Sequence, residues 1–282
     1  MLASAPGKII LFGEHAVVYG RHAVVAAIDL RCRVRVERAS SFRIESPLGV
    51  TGLDFKVHPY VSFAIKRFGE IKKIEGARIR IESEVPIGSG LGSSAAVAVA
   101  TLKALDAEFE TGMSDEEIFR LAWQVEKDVQ GTSSGIDPFV STYGGCWLFP
   151  ERKRLEVRER FFVLNFGSRS TAKMVAKVAE LRKRYPDIVE RIFDAIDAVA
   201  LNAASGAEIE ELIPINHSLL RAIGVSTPEI DEKIAELERE GLRAKITGAG
   251  GGGCVYGVYR GRAPEGAIVV GVSDEGARVE GS

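Results

Sequence analysis

The spacing of apolar and polar residues changes several times along this chain. In residues 22–38 (HAVVAAIDLRCRVRVER), Cys32, Val34 and Val36 alternate with Arg31, Arg33 and Arg35. A period of two is expected of a strand with one face in water. Residues 8–13 (KIILFG) and 77–85 (ARIRIESEV) also read as strands. Residues 95–109 (AAVAVATLKALDAEF) are small and almost wholly apolar, which predicts a buried helix. A further helix is predicted to start near Ser114, where Ser114 and Glu117 have capping-box spacing. Ile118, Leu121, Ala122, Val125 and Val129 then form one stripe. The chain turns at residues 130–138 (QGTSSGIDP), and residues 139–149 (FVSTYGGCWLF) are predicted to form a strand pair.

Residues 150–160 (PERKRLEVRER) are polar, and a domain boundary is expected there, dividing the chain into 1–153 and 154–282. Beyond it the pattern predicts a strand at 161–166 and helices at about 170–203, 207–221 and 227–240. Strands are predicted at 244–247, 254–259 and near 267–272. The elements alternate without regular βαβ spacing, so the fold class expected is α+β rather than a doubly wound sheet.

Composition narrows the functions. The chain has 282 residues, 46% apolar and 27% charged, with a net charge of −2. That is an ordinary globular balance, with no basic surplus of the kind nucleic-acid binders carry. Cys32, Cys146 and Cys254 are far apart and odd in number, which does not read as a disulfide framework and fits a reducing cytoplasm. Neither a signal peptide nor a membrane span is expected.

Four segments carry candidate chemistry. In residues 88–94 (GSGLGSS) three glycines lie between a strand and a helix, where backbone can approach an anion at a helix start. A flexible turn with a serine N-cap reads equally well. It is not a Walker A loop, because no Gly-Lys-Ser/Thr follows. Residues 248–253 (GAGGGG) satisfy GxGxxG, but a strand-like CVYGVY follows where a dinucleotide fingerprint needs a helix. Lys8 opens an apolar strand, and Asp137 lies in a predicted tight turn beside Pro138 where it could handle a hydroxyl proton. Glu126 and Asp128 border opposite edges of the stripe beginning at Ile118, and geometry alone does not choose between them. No HExxH, HRD or DFG occurs, and the histidines show no metal-ligand spacing, which argues against zinc hydrolases and protein kinases.

Taken together, APGK (5–8) with GEH (13–15), PIGSGLGSSAA (86–96) and KITGAGGGGC (245–254) resemble the three motifs of the GHMP kinase superfamily. That superfamily includes galacto-, homoserine, mevalonate and phosphomevalonate kinases. Within it, GEHAVVYG (13–20) and the segment from Gln130 to Gly145 are similar to the members that phosphorylate mevalonate. The resemblance implies an N-terminal domain like domain 2 of ribosomal protein S5 and a ferredoxin-like C-terminal domain. It implies transfer of a phosphoryl group from ATP, with Mg²⁺, to the 5-hydroxyl of (R)-mevalonate. Phosphomevalonate kinase, mevalonate 3-kinase and a non-catalytic nucleotide sensor are the alternatives.

The same resemblance implies roles for single residues. Asp137 and Lys8 match the catalytic pair. Pro86, Ile87, Gly88, Ser89, Gly90, Leu91, Gly92, Ser93, Ser94, Ala95, Ala96 and Ser134 are expected to bind ATP. Glu14, His15, Thr171, Gly248, Ala249 and Gly250, with Lys8 and Asp137, are expected on the substrate side. Ser94 and Glu126 match the Mg²⁺ ligands, so the resemblance selects Glu126 over Asp128. The partners implied are ATP and mevalonate, with no nucleic acid and no membrane; a homodimer is left open.

Overall fold

A computed structural model describes residues 1–167 and 171–281. The first half contains β1 (Leu2–Phe12), β2 (Ala23–Arg38), β3 (Arg43–Ser46), β4 (Gly49–Thr51), α1 (Pro59–Phe68) and β5 (Ala77–Ser83). It continues with α2 (Ser93–Phe109), α3 (Asp115–Gln130), α4 (Ile136–Tyr143), β6 (Cys146–Phe149) and β7 (Lys153–Leu155). Next come β8 (Arg160–Asn165), α5 (Thr171–Arg184), α6 (Pro186–Ala204), α7 (Ile209–Ala222) and α8 (Pro228–Arg239). The last strands are β9 (Lys245–Thr247), β10 (Cys254–Val258), β11 (Ile268–Gly271) and β12 (Arg278–Val279). The start expected at residue 170 lies outside the described residues.

Two largely antiparallel sheets result, as α+β requires. The first has the order β12-β1-β2-β5-β3-β4, with β6 beside β2 and β7 beside β6. The second has the order β11-β8-β10-β9. The change of sheet falls between β7 and β8, but β12 returns to pair with β1 through Ala3 and Ser4.

β2 organises the first sheet. Its C-terminal half alternates as the sequence suggests, with Cys32, Val34 and Val36 buried under α1 and α2. Its N-terminal half is buried on both faces. Val24, Ala26 and Ile28 join the core shared with the second sheet, and Ala23, Val25 and Ala27 pack on Phe119, Phe139 and Val140. Arg31 departs from the expected polar face and is buried. It donates to Ser4 Oγ and to the carbonyls of Ser4, Glu275 and Gly276, so it ties the returning C-terminal segment to β1. Burial, with Arg278 nearby, pushes its guanidinium down to about 10.

α2 is buried almost all round, and its alanines let it lie close to β1, β2, α1 and α3. α3 begins on the anticipated capping box: Ser114 Oγ accepts from Glu117 N–H and Glu117 Oε2 accepts from Ser114 N–H.

Two elements need correction. The span expected as one helix at about 170–203 is two, α5 and α6, parted at Tyr185 because Pro186 opens a new helix and disfavours a helical residue before it. Residues 136–143 are not part of a strand pair; they form helix α4, and only β6 is a strand. The β-branched and aromatic residues of FVSTY (139–143) suggest strand. However, Ile136, Phe139, Val140 and Tyr143 are spaced i, i+3, i+4, i+7, and they pack as one helical face. Gly135, at φ 78°, turns the chain into the helix, and its N–H is accepted by Ser133 Oγ. Pro138 is tolerated because a first helical turn has no use for its missing N–H. β1 is also longer than expected, because β2 and β12 support the Ala/Ser/Pro segment from both sides. β3, β4, β7 and β12 are too short to show a period and were not anticipated; nor was α1, although Val61, Ala64, Ile65 and Phe68 are spaced i, i+3, i+4, i+7.

Candidate active site

One cleft of roughly 1670 Å³ receives residues from β1, the segment after it, α2, α3, α4, α5 and the second glycine run. At its centre is the loop before α2. Gly88, Gly90 and Gly92 have φ of 71°, 82° and 76°, the left-handed region that glycine enters without strain. Gly92 caps α2, and no side chain accepts from the helix start. The free N–H groups of the first turn, Ser93 and Ser94 included, are therefore left for an anion, which the helix dipole also favours.

This loop is locked onto β1. Lys8 N–H donates to Leu91 O at 2.8 Å, next to an irregularity in the β1–β2 register between Pro6 and Lys8. A Cβ on Gly92 would stand 2.7 Å from Lys8 Cγ. Lys8 is thus buried beneath the loop, and its Nζ lies 3.2 Å from Asp137 Oδ2. Asp137 lies in the first turn of α4, not in an isolated turn, where a carboxylate also complements the helix dipole.

The two candidate carboxylates of α3 are separated by their partners. Asp128 accepts from Arg67 Nε and Nη2 at 2.7 Å each, a two-pronged pair with α1. Glu126 is buried and lines the cleft, accepting from Ser133 Oγ. Burial and the negative charge of Asp137 push its carboxyl up to about 7, and Lys8 offsets only part of this. Such a group is short of positive charge.

Glu14 and His15 follow β1. His15, at φ 61°, donates from Nε2 to Ala249 O at 2.9 Å, and burial lowers the pKa of its imidazole. A neutral ring with its proton on Nε2 has Nδ1 free as an acceptor. Glu14 is fully buried against Lys245. The second glycine run packs closely on its surroundings. Gly248, Gly250, Gly251, Gly252 and Gly253 all have positive φ, and a Cβ on Gly253 would lie 3.3 Å from Ser89 O. The two glycine loops therefore rest on each other.

Lys8, Glu14, His15, Pro86, Ile87, Gly88, Gly90, Gly92, Ser93, Ser94, Glu126, Ser134, Asp137, Thr171, Gly248 and Ala249 all line the cleft. Ser89, Leu91, Ala95, Ala96 and Gly250 do not. Ser89 closes the loop by donating to Pro86 O, and Leu91, Ala95 and Ala96 are core. Gly250 packs on Val225, whose carbonyl would be 2.3 Å from an added Cβ. Three neighbours escaped the sequence reading. Ser133 lines the cleft beside Ser134 and donates to Glu126 Oε2. Tyr60 comes from α1, and its hydroxyl accepts from Gln130 Nε2. Lys245 had a signal, a lysine in an apolar strand like Lys8, beside the glycine run.

A partly apolar rim of Leu48, Val57 and Ile87 stays exposed at the mouth, near His58, which is held between Ser46 Oγ and Thr51 Oγ1. Residues 56–60 thus reach the cleft without a recognisable motif.

Residues 59–145 match the family described as GHMP kinases N terminal domain, and residues 197–277 match GHMP kinases C terminal. A mevalonate kinase from Archaeoglobus fulgidus is 66% identical over 283 aligned residues, covering 99% of this chain and 100% of that protein. A mevalonate kinase crystal structure superposes with a TM-score of 0.83 at 29% identity, over 98% of this chain and 100% of that one. The L. major mevalonate kinase in complex with R-mevalonate superposes with a TM-score of 0.81 at 25% identity, over 95% and 94% of the two chains.

Proposed function

We infer, from the fact that the chain belongs to the GHMP kinase family and within it to the mevalonate kinases, that it phosphorylates mevalonate at the expense of ATP. The observation that carries the mechanism is the Lys8–Asp137 pair, 3.2 Å apart at the wall of the cleft whose centre is the uncapped start of α2. A cation and a carboxylate at that distance suit a hydroxyl acceptor, and a helix start suits phosphate oxygens.

Phosphoryl transfer is mostly positioning and charge neutralisation. The backbone of residues 88–94 and the α2 dipole hold the nucleotide phosphates. Asp137 accepts or orients the proton of the 5-hydroxyl, and Lys8 favours the developing alkoxide. Ser134 and Thr171 bring hydroxyls to the two sides of the transferred group. Leu48, Val57 and Ile87 offer apolar surface for the base. A cytoplasmic setting suits three cysteines that are free and buried, and no helix among the described residues is long and apolar enough to cross a membrane.

The donor set fits Mg²⁺. Glu126 is a buried carboxylate short of positive charge, and the Ser94 hydroxyl lines the same cleft. Among the described residues no group of three His, Cys, Asp or Glu could cage a metal, so phosphate oxygens would complete the shell. That is the usual arrangement for Mg²⁺, which keeps waters and binds through one or two carboxylates plus substrate. Bound there, the cation would neutralise charge on the transferring phosphate. Glu126→Gln is expected to raise the Mg²⁺ concentration needed for half-maximal rate by about 10-fold or more, since losing a buried charged contact costs roughly 1.5–3 kcal/mol. An unchanged Mg²⁺ titration would remove Glu126 from the metal site.

A coupled ADP-release assay across mevalonate, phosphomevalonate, galactose and homoserine tests the function. ADP is expected with mevalonate alone, and NMR of the product should show phosphate on C5. Absence of ADP with mevalonate overturns the reading.

A further inference from the structure

Lys245 opens β9, just before the second glycine run, and is fully buried. Its Nζ has three acceptors: Leu11 O at 3.0 Å, Ile246 O at 2.7 Å and Glu14 Oε1. Three acceptors for three N–H groups describe a fixed ammonium. Glu14, by contrast, uses only one of its oxygens. Its Oε2 is buried and has no hydrogen-bond partner among the described residues, although the residue lines the cleft. Burial pushes the Glu14 carboxyl up, and Lys245 is the main force opposing that, with Lys8 a smaller one.

A role as a mere staple does not account for this pair. A buried ion pair is weak evidence for stability, because desolvation offsets its attraction. The two sheets are already joined beside it by neutral bonds. Thr247 Oγ1 donates to Ile10 O at 2.9 Å and accepts from Ile10 N–H at 3.0 Å, and Tyr256 OH donates to Leu11 O at 2.7 Å. An acceptor left without a donor is costly unless a ligand supplies one.

We propose that Lys245 is a positioning residue for the acceptor substrate: it holds the Glu14 carboxylate so that Oε2 receives the 3-hydroxyl of mevalonate. The inference rests on mevalonate being the substrate. Mevalonate presents a carboxylate, a tertiary 3-hydroxyl and a primary 5-hydroxyl. A carboxylate oxygen cannot accept from another carboxylate, and the 5-hydroxyl belongs to Asp137 and Lys8. The 3-hydroxyl is the donor that remains.

The test compares kcat/KM for mevalonate with that for 5-hydroxy-3-methylpentanoate, which lacks only the 3-hydroxyl. The native enzyme is expected to prefer mevalonate by about 10–100-fold, the worth of a hydrogen bond to a charged group. Lys245→Met should reduce that preference about tenfold, mainly through the KM for mevalonate, because the carboxylate loses its anchor. The KM for ATP should not change. A purely structural role would affect both substrates and ATP alike, and that result overturns the proposal, as does a preference kept in full. Should Lys245→Met fail to fold, Glu14→Gln/Lys245→Met removes both buried charges together; a full preference retained there overturns the proposal equally. A native enzyme that turns over mevalonate without preferring it to the analogue overturns this inference alone. One that does not turn over mevalonate at all overturns the functional reading instead.

Discussion

Asp137→Asn is expected to lower kcat by about 10²–10⁴-fold, the usual worth of a positioned acid–base group, while ATP still binds with near-normal affinity. Steady-state ADP release and nucleotide titration of the same variant measure the two effects. The amide keeps the shape of the carboxylate but cannot take up a proton. The helix start should survive, because Gly135 and Ser133, not Asp137, turn the chain into α4. ATP binding should survive too, because the phosphate loop is held by Lys8 N–H and the second glycine run, neither of which depends on the Asp137 side chain. Near-normal turnover would remove Asp137 from the proton path.

Lys8→Met should lower kcat by about 10²–10³-fold, the range seen when one donor aimed at a developing oxyanion is removed. The methionine fills the channel under Gly92 but leaves Asp137 without its cation at 3.2 Å. Lys8→Arg should not restore the rate. The guanidinium fork is larger than an ammonium, and the side chain already passes so near Gly92 that a Cβ there would fall 2.7 Å from Lys8 Cγ. Turnover of Lys8→Met within about tenfold of the native enzyme, well short of that range, would show that the ammonium is not aimed at the reacting oxygen. Thermal unfolding of both variants distinguishes lost chemistry from lost fold.

These two experiments concern residues that the sequence had singled out, and the reason is local. The Ser114–Glu117 capping box is a contact within four positions, so residue types alone specify it. The glycines at 88, 90 and 92 mark backbone that only glycine adopts freely, and the chain does turn left-handed at each. One-sided burial imprints a period of two on the C-terminal half of β2 and on β5, whereas β8 and β10 are buried through their middles and read as short apolar runs. The family itself was legible because three short motifs occur in order along the chain.

Tertiary structure decided whatever depends on a distant partner. Glu126 and Asp128 look alike from their helix, and Arg67, 61 residues from Asp128, takes one of them away from the cleft. Arg31 belongs to an alternating arginine row until the C-terminal segment returns and covers it. Residues 136–143 carry strand-forming side chains, but their packing on Phe119 and β2 selects the helix that their spacing also allowed. Glu14 and Lys245 are 231 residues apart, and nothing in either neighbourhood announces the other. Local propensity and turn chemistry act within a few residues, so a sequence states them openly. A buried charge is stable only beside a counter-charge or a full set of hydrogen-bond partners, and only the folded chain brings those near.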